Sequence, residues 1–314
     1  MEIIFFGNGA RSIPCLSSIK STKHNINAIV GHPRSESKWY DHLADIAKEL
    51  KIPFFYPKDP NKKLFEKKIK SFNADLYIFA GYGKILNNNI IKLPNKMCIN
   101  LHGGKLPKYR GSSPMNWALI NGEKDFSLSI IQLKKIIDGG PVLLEKNFPI
   151  NENTTIVDLH NIANKEFPKM LKTVVNQIND DSLKPRSQDE SKASYFPLRF
   201  PNDGFILWDM LSAEQIHNRI RALTSPYPCA FSFFGNQKVV LIKSKIDKNN
   251  FHGEAGRIYR IENNKLLISA KQGSLWITEA VFESNGSSLA SKVKRYQSLS
   301  TIKDIGMNFF DIQK

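Results

Sequence analysis

The chain has few cysteines, a shortage of acidic residues and no long apolar run. Its 314 residues include only Cys15, Cys98 and Cys229, and an odd number of distant cysteines builds neither a disulfide framework nor a paired metal site. We therefore expect three free thiols and no metal. No run of about 18 apolar residues is present that would span a bilayer, and the first residues lack the basic region and cleavage site of a signal peptide. The expected location is cytoplasmic, with no membrane partner.

Basic residues outnumber acidic ones, because Lys and Arg total 45 whereas Asp and Glu total 29, which gives a net charge of +16. Such an excess is typical of a protein that binds nucleic acid. The lysines, however, are scattered in pairs such as Lys62-Lys63 and Lys67-Lys68, and this pattern also arises on a solvated surface from a general compositional bias. We favour the solvated surface, and an RNA-binding patch is the alternative.

The first half of the chain alternates short apolar runs with helical periods, which predicts an α/β domain with a parallel sheet and crossover helices. The predicted strands cover residues 3–6, 26–31, 52–56, 76–80, 97–102 and 127–133. The predicted helices cover residues 12–19, 40–50, 61–71, 113–120 and 155–178. A chain of this length is expected to form roughly two domains.

The second half follows a segment, residues 179–203, that is rich in Asp, Ser and Pro and has no apolar periodicity. A helix with the apolar residues Ile216, Ile220 and Leu223 comes next, and several short alternating strands follow it. Short strands in this number predict a small β-barrel of the OB type. The predicted boundaries are 1–187 for the α/β domain, 188–204 for a linker and 205–314 for the OB-like domain.

Asn100, His102 and Asp138 are the candidate catalytic residues. Side chains alternate along a strand, so positions 100 and 102 face the same way and present an amide beside an imidazole. The Gly-rich turn Asp138-Gly-Gly140 offers a carboxylate that can hydrogen-bond the imidazole and fix its tautomer. These groups can bind an oxyanion and move a proton, which acyl transfer requires.

The turn after the first strand, Gly7-Asn-Gly-Ala-Arg11, does not match a dinucleotide site. The third glycine of that motif would fall at Ser12, and no acidic residue ends the second strand. The exposed amides of a helix N-terminus beside Arg11 suit a phosphate instead. A plain strand-to-helix turn with a solvent-facing arginine is an equal alternative.

Three segments carry a family resemblance: Asn100-Leu-His102, Leu106-Pro-Lys-Tyr-Arg-Gly111 and Asp138-Gly-Gly140. Together they resemble the formyltransferases that use 10-formyltetrahydrofolate, the family of methionyl-tRNA and glycinamide ribonucleotide formyltransferases. The resemblance implies a Rossmann-like formyltransferase domain, 10-formyltetrahydrofolate as co-substrate, and catalytic roles for Asn100, His102 and Asp138. It also implies that Lys84, Ile85, Leu86, Ile136 and Ile137 line the folate site.

The formyl acceptor is the open question. The tRNA enzymes carry a basic, Gly-rich insertion after the second strand, and the segment at residues 32–40 is too short to be that insertion. Asn116-Trp117 followed by Asn121-Gly-Glu123, and Phe233-Phe-Gly-Asn-Gln-Lys238, are instead similar to the branch that formylates sugar nucleotides. The resemblance therefore implies a nucleotide-linked amino sugar, such as a dTDP-4-amino-4,6-dideoxyhexose for a surface polysaccharide of the lipopolysaccharide O-antigen kind.

A sugar nucleotide needs a diphosphate site and a platform for its base. Asn8 and Arg11 are candidates for the first, and the second draws on Arg199, Trp208 and Tyr227, with Tyr195 and Phe196 beside them. The same aromatic residues can instead pack a domain junction. Methionyl-tRNA formyltransferase is the alternative function, with tRNA as the partner, and a folate- or RNA-binding module without chemistry is a third hypothesis. A homodimer is left open.

Overall fold

The computed structural model describes residues 1–38, 40–249, 251–301 and 304. The described strands are β1 (Glu2–Gly7), β2 (Asn25–Val30), β3 (Phe54–Phe55), β4 (Leu76–Ala80), β5 (Met97–His102), β6 (Arg110–Gly111), β7 (Asp125–Gln132), β8 (Val142–Pro149), β9 (Tyr195–Phe196), β10 (Ala230–Phe234), β11 (Gln237–Ile246), β12 (Ile258–Glu262), β13 (Lys265–Ser269) and β14 (Ser274–Phe282). The described helices are α1 (Ser12–Lys20), α2 (Tyr40–Glu49), α3 (Lys63–Lys70), α4 (Asn88–Ile91), α5 (Pro114–Ile120), α6 (Ile156–Asn179) and α7 (Ala213–Leu223).

The chain folds into two compact units, and each is made of separate stretches of sequence. The first unit contains residues 1–114, 126–148 and 160–196. The second unit contains residues 115–125, 149–159 and the described part of 197–314. The boundaries at 187 and 204 stay a prediction, and the division by contacts adds two short, earlier stretches to the end of the chain.

The first unit is built on a seven-stranded sheet with the order β3-β2-β1-β4-β5-β7-β8. Strands β3, β2, β1, β4 and β5 are mutually parallel. Residues 3–6 of β1 and 76–80 of β4 are buried throughout, as expected for parallel strands that are covered on both faces. The prediction of an α/β fold with a parallel sheet is confirmed.

The far edge of this sheet differs from the prediction in two respects. Strand β7 runs antiparallel to β5, and β8, which the sequence analysis did not predict, extends the sheet beyond it. The residues of β8 alternate poorly in polarity, and its second half is mostly exposed. A strand of that kind gives little periodic signal.

The second unit contains a five-stranded sheet with the order β10-β11-β14-β13-β12, and its neighbouring strands pair antiparallel. Helix α7 begins with a capping box formed by Ser212 and Gln215, which satisfies two backbone N–H groups at its start. The antiparallel C-terminal sheet is confirmed. Among the described residues no strand pair joins β10 to β12, so the closed OB-like barrel stays a prediction.

Arg221 of α7 explains why residues 149–159 belong to the second unit. Its buried guanidinium donates from Nη1 to the backbone carbonyls of Asn151 and Thr154, each at 2.9 Å, and from Nε to Asn218 at 2.9 Å. Buried charge is tolerated when its donors are satisfied in this way. Helix α7 therefore holds a stretch of chain that lies 70 residues earlier in sequence.

Two further expectations concern the thiols and the basic surface. Cys15, Cys98 and Cys229 are all free, as predicted, and burial raises the pKa of Cys15 to about 12. The paired lysines Lys62-Lys63 and Lys67-Lys68 on and beside α3 are exposed. No helix within the described ranges combines the length and apolar character needed to cross a membrane.

Candidate active site

The structure brings Asn100, His102 and Asp138 together in the first unit. Asn100 and His102 lie on one face of β5, with Leu101 between them pointing the other way. The Nδ2 of Asn100 donates to Oδ1 of Asp138 at 3.5 Å, and Nδ1 of His102 lies 3.6 Å from Oδ2 of the same carboxylate. His102 and Asp138 are both buried, and the side chain of Asn100 is partly accessible.

The imidazole of His102 has a polar neighbour at each ring nitrogen. Its Nε2 contacts the backbone carbonyl oxygen of Tyr109, and its Nδ1 faces Asp138. A carbonyl oxygen can only accept, so Nε2 is the donor in its contact with Tyr109. The Nδ1 atom faces the carboxylate of Asp138 at a distance longer than a hydrogen bond.

Gly104 makes this arrangement of the histidine sterically feasible. A Cβ atom at this position would lie 2.6 Å from the carbonyl oxygen of Tyr109 and 2.7 Å from Nε2 of His102. Atoms that close would push the ring and the carbonyl apart. The Gly-Gly pair that follows β5 thus allows the Tyr109 carbonyl to reach the histidine.

Asp138 is held in an unusual backbone conformation by its turn. Its φ angle is +49°, in the left-handed region that Asp and Asn tolerate better than most residues. The backbone N–H of Gly111 donates to its Oδ2 at 2.9 Å. Gly140 packs against the carbonyl of Gln132, and a Cβ atom there would overlap it. The carboxylate is thus fixed by both its own turn and strand β6.

A further side chain, Gln188, which the sequence analysis did not assign, supports that turn. Gln188 donates from Nε2 to the carbonyls of Asp138 at 2.7 Å and Gly140 at 2.6 Å. The Oε1 of Gln188 in turn accepts from Nε and Nη2 of Arg110 at 3.1 and 3.0 Å. Gln188 is therefore a positioning residue between a buried arginine and the backbone of Asp138.

Arg110 itself is completely buried, and its guanidinium forms a fork with a carboxylate. Nη1 and Nη2 donate to the two oxygens of Glu190 at 2.8 and 2.7 Å, and Nη1 also donates to the hydroxyl of Tyr195 at 2.8 Å. The hydrogen bonds to Glu190 raise the pKa of Arg110, and the same bonds lower the pKa of Glu190. We call Arg110, Gln188, Glu190 and Tyr195 the Arg110 cluster.

The sequence pointed to Arg110 but not to the residues that bind its guanidinium. Arg110 belongs to the Leu-Pro-x-x-Arg-Gly segment, but its partners lie 78 to 85 residues away in a stretch without periodicity. That stretch, predicted as a linker, contains a 3₁₀ turn at Glu190–Lys192 and the short strand β9, which pairs with β6.

The residues predicted to line the folate site lie on two loops of the first unit. Ile85, Ile136 and Ile137 are exposed by 74%, 51% and 50%, which is unusual for large apolar side chains and suits a surface that a planar ligand covers. Leu86 packs against the core. Lys84 is tied down, since its Nζ pairs with Glu36 at 3.0 Å and donates to the carbonyl of Lys58 at 2.6 Å.

A buried histidine lies beside the first of these loops. Gly83 donates its backbone N–H to Nε2 of His32 at 3.3 Å, and the ring packs edge-on against Tyr82. Burial, and next the charge of Lys84, lower the pKa of His32. A neutral ring at pH 7 is consistent with its role as an acceptor from Gly83.

The residues predicted for the diphosphate, Asn8 and Arg11, lie at the start of α1 in the first unit. The Oδ1 of Asn8 accepts a short hydrogen bond from Ser37, and the guanidinium of Arg11 lies 4.9 Å above the ring of Phe167. Burial, with a smaller effect from Arg11, lowers the pKa of His160 to about 4. The positive charge of Arg11 therefore acts on a buried histidine of the same unit.

The residues predicted for the base platform are divided between the two units. Arg199, Trp208 and Tyr227 belong to the second unit, whereas Tyr195 and Phe196 belong to the first. Phe196 stacks on Tyr109 with ring centroids 4.8 Å apart and an interplanar angle of 7°, so it packs against the chain itself. Tyr227 is half-buried in a turn, with its backbone N–H donating to Thr224.

Trp208 requires a correction. Its side chain is completely buried, and its Nε1 donates to the hydroxyl of Ser232 at 3.0 Å. A tryptophan with no accessible surface and a satisfied N–H is a core residue. It offers no platform for a base, and the alternative of packing within the fold is the one the structure supports.

Asn100 and His102 on β5, together with Asp138 beside them, can stabilise negative charge on a substrate. Asn100 is the accessible donor, and the imidazole of His102 and the carboxylate of Asp138 form a pair that can move a proton. No group of three or more histidine, cysteine or acidic side chains suited to a metal was found in the part of the chain that the structure describes.

Comparison with known proteins places this geometry in a family. Residues 1–175 match the model of the formyl transferase family, and residues 200–293 match that of the formyl transferase C-terminal domain. Methionyl-tRNA formyltransferase of Acetivibrio thermocellus is 30% identical over 91% of this chain and 93% of its own length. A bifunctional polymyxin resistance protein ArnA, from Wigglesworthia glossinidia brevipalpis, is 33% identical over 99% of this chain, which spans only 50% of that protein.

Solved structures show the same fold. The sugar 3N-formyltransferase WlaRD, solved with dTDP and 5-N-formyl-THF, is similar with a TM-score of 0.66 and 20% identity, covering 91% of this chain and 98% of its own. HypX from Aquifex aeolicus is similar with a TM-score of 0.63 and 15% identity, and this chain spans 44% of its length. With both family models matched in order along the sequence, the chain belongs to the formyltransferase family.

Proposed function

We propose that this chain transfers a formyl group from 10-formyltetrahydrofolate to the amine of a nucleotide-linked amino sugar. The observation that carries the proposal is the meeting of Asn100, His102 and Asp138 at one end of β5, within 3.6 Å of one another through the carboxylate. An accessible amide beside a buried imidazole–carboxylate pair suits a reaction that passes through an oxyanion.

In the proposed mechanism the free amine attacks the formyl carbon, and a C–N bond to the acceptor forms. Asn100 donates its amide N–H to the oxyanion, and the imidazole of His102 lies beside it as the group that moves protons. The bond between the formyl carbon and N10 of the folate then breaks. The His102–Asp138 pair takes the proton released by the amine and supplies one to N10, so the pair is unchanged after each turnover.

Two observations support a folate as formyl donor. Three isoleucines, Ile85, Ile136 and Ile137, are exposed on loops of the first unit, where a planar ring system can cover them. Among similar structures, an N-formyltransferase of Helicobacter canadensis was solved with folinic acid and dTDP-3-aminofucose, with a TM-score of 0.62 and 19% identity.

The sugar acceptor is supported by sequence motifs and by those neighbours. Asn116-Trp117 and Phe233-Phe-Gly-Asn-Gln-Lys238 are similar to the sugar branch. Among the neighbours, WlaRD is a sugar 3N-formyltransferase, and the Helicobacter canadensis enzyme was solved with dTDP-3-aminofucose. Both involve a 3-amino sugar, whereas our proposal from the sequence is a 4-amino-4,6-dideoxyhexose on dTDP. The product would serve a surface polysaccharide.

Methionyl-tRNA is the second candidate acceptor. The chain is 30% identical to a methionyl-tRNA formyltransferase over nearly the whole of both proteins, and its net charge of +16 suits a nucleic-acid partner. The exposed lysines of α3 are the most concentrated part of that charge in the first unit.

A comparison of formyl acceptors in parallel reactions tests the proposal. The purified chain is given 10-formyltetrahydrofolate and, in parallel reactions, dTDP-3-amino, dTDP-4-amino and UDP-4-amino sugars or charged initiator tRNA, and folate release and acceptor mass are followed. We expect formylation of a dTDP-linked 4-amino sugar. Efficient formylation of methionyl-tRNA with no sugar product would promote the alternative, and formylation of the 3-amino sugar alone would correct the position of the amine.

Salt dependence gives an independent test of the acceptor. A tRNA held by several phosphates loses affinity with a log–log slope on the order of −0.7 to −0.9 per phosphate. A sugar nucleotide offers a diphosphate only, so its KM should rise only several-fold between low and physiological salt. Removing the basic side chains at Lys62, Lys63, Lys67 and Lys68 should leave the rate unchanged. A steep slope together with loss of rate in that variant would contradict the sugar acceptor.

A further inference from the structure

The second unit contains an open cavity of about 500 Å³, within the range of roughly 300–1,000 Å³ that is typical of small-molecule sites. Its walls combine aromatic and aliphatic side chains with two arginines, and all of its lining residues belong to the second unit. The residues that matter here are Trp117, Leu198, Arg199, Phe200 and Arg219. None of them is needed for the chemistry at the end of β5.

The first arginine, Arg199, is held in place but incompletely satisfied. Its guanidinium lies 4.9 Å from the ring centroid of Trp117, and Nη2 donates to the backbone carbonyl of Asp203 at 3.0 Å. Its Nε is buried without a hydrogen-bond partner. A buried N–H of a charged group without an acceptor lowers the stability of the fold. An acceptor atom of a ligand would remove this penalty.

The acid beside Arg199 is already engaged. One carboxylate oxygen of Asp203 accepts from the backbone N–H of Phe200 at 2.7 Å, which caps the turn Pro201–Gly204. The negative charge of Asp203 raises the pKa of Arg199, but burial, the larger effect, lowers it, as does the nearby charge of Arg219. Asp203 therefore compensates only part of the positive charge.

The second arginine, Arg219 of α7, faces the same cavity. Burial lowers its pKa, and neither it nor Arg199 takes part in any of the ion pairs found between described residues. Two half-buried guanidiniums and one lining carboxylate, Asp203, leave net positive charge in a partly desolvated place. Such a place favours an anion with several oxygen acceptors.

The remaining wall is apolar and open to solvent. Leu198 and Phe200 are exposed by 58% and 64%, and both line the cavity. Apolar side chains of this size at the surface suit a flat ring that packs on them. A ligand that pairs a planar ring with a short, multiply charged oxyanion matches both walls.

We propose that this cavity of the second unit binds a nucleoside diphosphate, with its phosphates on Arg199 and Arg219 and its base against Phe200 and Leu198. Binding of a free nucleotide goes beyond formyl transfer, whereas binding of the carrier of a sugar substrate rests on the proposed function. The nucleotide is either the carrier of a sugar substrate or a free nucleotide, and both present the same chemistry to the cavity.

Isothermal titration calorimetry of the full chain with dTDP tests the proposal. Arg199→Gln and Arg219→Gln should each weaken dTDP binding by about tenfold or more, because each removes a charge-assisted contact. The matched control is Arg260→Gln, which removes the same charge from an exposed position on β12 of the same unit and should change the affinity less than twofold. Thymidine and inorganic pyrophosphate should each bind more weakly than dTDP.

A kinetic comparison separates the two sources of the nucleotide. If the cavity holds the carrier of the sugar, Arg219→Gln should raise KM for the sugar nucleotide about tenfold or more while kcat changes less than threefold. If it holds a free nucleotide, KM should stay constant while the calorimetric affinity for dTDP falls. Equal dTDP affinity in the wild type, both arginine variants and the control would overturn the proposal.

Folding of the variants is checked by a readout that does not use activity. Saturating dTDP should raise the melting temperature of the wild type and of Arg260→Gln, since a ligand that binds only the folded state stabilises it. The same dTDP should give a much smaller rise in Arg219→Gln and in Arg199→Lys, which keeps the charge but loses the Nε donor. An undiminished rise in both would also overturn the proposal.

Discussion

The arginine of the first unit and the two cavity arginines of the second are satisfied in different ways. Arg110 is fully buried, and every one of its guanidinium nitrogens donates to Gln188, Glu190 or Tyr195. Arg199 is half-buried, and its Nε has no acceptor. The two arginines thus differ in the source of their hydrogen-bond acceptors: those of Arg110 lie within the chain, and we propose that those of Arg199 are supplied by a ligand.

The two places should also respond differently to mutation. Removing Arg110 leaves acceptors of the fold without their donors, so stability should suffer. Removing a cavity arginine relieves a charge that the fold does not compensate, so binding should suffer instead. Four sets of variants test this contrast, beginning with the reaction centre that the Arg110 cluster supports.

The largest effect is expected at β5 itself. Asn100→Ala should lower kcat by about 10²–10³-fold, because it removes the donor to the oxyanion, and His102→Ala should lower it by a comparable factor. Folate binding, measured separately by fluorescence titration, should be largely preserved in both. Near-normal turnover of His102→Ala would contradict the mechanism.

A double variant at the same centre shows whether His102 and Asp138 act together. His102→Ala combined with Asp138→Asn should cost little more than the worse single change, since groups that act as a unit are not additive. The control pair is Asn100→Ala with Lys192→Ala, an exposed lysine, whose effects should simply multiply. If the fold-reductions in kcat of the His102 and Asp138 variants multiply in full, the carboxylate does not act through the histidine.

The next effect is the stability lost with Arg110. Arg110→Ala should lower the free energy of unfolding by about 1.5–3 kcal/mol, the range for hydrogen bonds to charged groups. Lys192→Ala is the control, since its ion pair with Asp189 is exposed on both sides and should contribute little to stability. Urea unfolding at pH 7 measures the loss of free energy of unfolding in both variants. Equal losses would show that Arg110 contributes no more than an exposed ion pair.

The pH dependence of this loss follows from Glu190. Arg110 lowers the pKa of Glu190 in the folded state, so the folded protein binds its proton less readily than the unfolded chain does. The stabilisation is therefore complete above the unfolded pKa, about 4.3, and falls as the pH drops through the lower folded value. The difference in free energy of unfolding between wild type and Arg110→Ala should therefore become smaller below roughly pH 4.

A smaller effect on rate is expected at Gln188. Gln188→Glu keeps the shape of the side chain but loses both N–H donors to the carbonyls of Asp138 and Gly140, so the carboxylate loses its fixed position. We expect kcat to fall by on the order of 10-fold, as small displacements of catalytic groups do, with KM and melting temperature little changed. Full activity in Gln188→Glu would show that the turn holds Asp138 by itself.

The smallest effect is the stability of the empty cavity. Arg219→Gln should leave the free energy of unfolding without ligand unchanged or raise it by up to roughly 1 kcal/mol, because it removes an uncompensated charge. Urea unfolding beside the Arg110→Ala measurement gives the direct contrast. A loss as large as that of Arg110→Ala would mean that Arg219 belongs to the fold.

The sequence was sufficient for the parts of the site that depend on local order. The alternation of side chains along β5 placed Asn100 and His102 together, and the Asp-Gly-Gly turn indicated where a carboxylate could meet them. The parallel strands were predicted from continuous apolar runs, since burial on both faces leaves that pattern. Exposure of the paired lysines also followed from composition alone.

The remainder depended on contacts between distant residues. Gln188 and Glu190 lie in a stretch of Asp, Ser and Pro that carries no periodicity, and only the fold brings them to Arg110. Trp208 was assigned to a base platform because aromatic residues near a junction suit either role, and only its burial decides between them. Antiparallel β7 could not be distinguished from a parallel strand, because both are apolar when they are buried.

The discontinuous units have a consequence for synthesis on the ribosome. Residues 115–125 and 149–159 emerge long before the residues after 196 with which they cluster. At about 5–20 residues per second, these two stretches wait several seconds or more for their partners. Exchange of whole C-terminal halves between relatives at residue 204 would separate Arg221 from the carbonyls of Asn151 and Thr154, so a productive chimera must carry the two early stretches along with the late one.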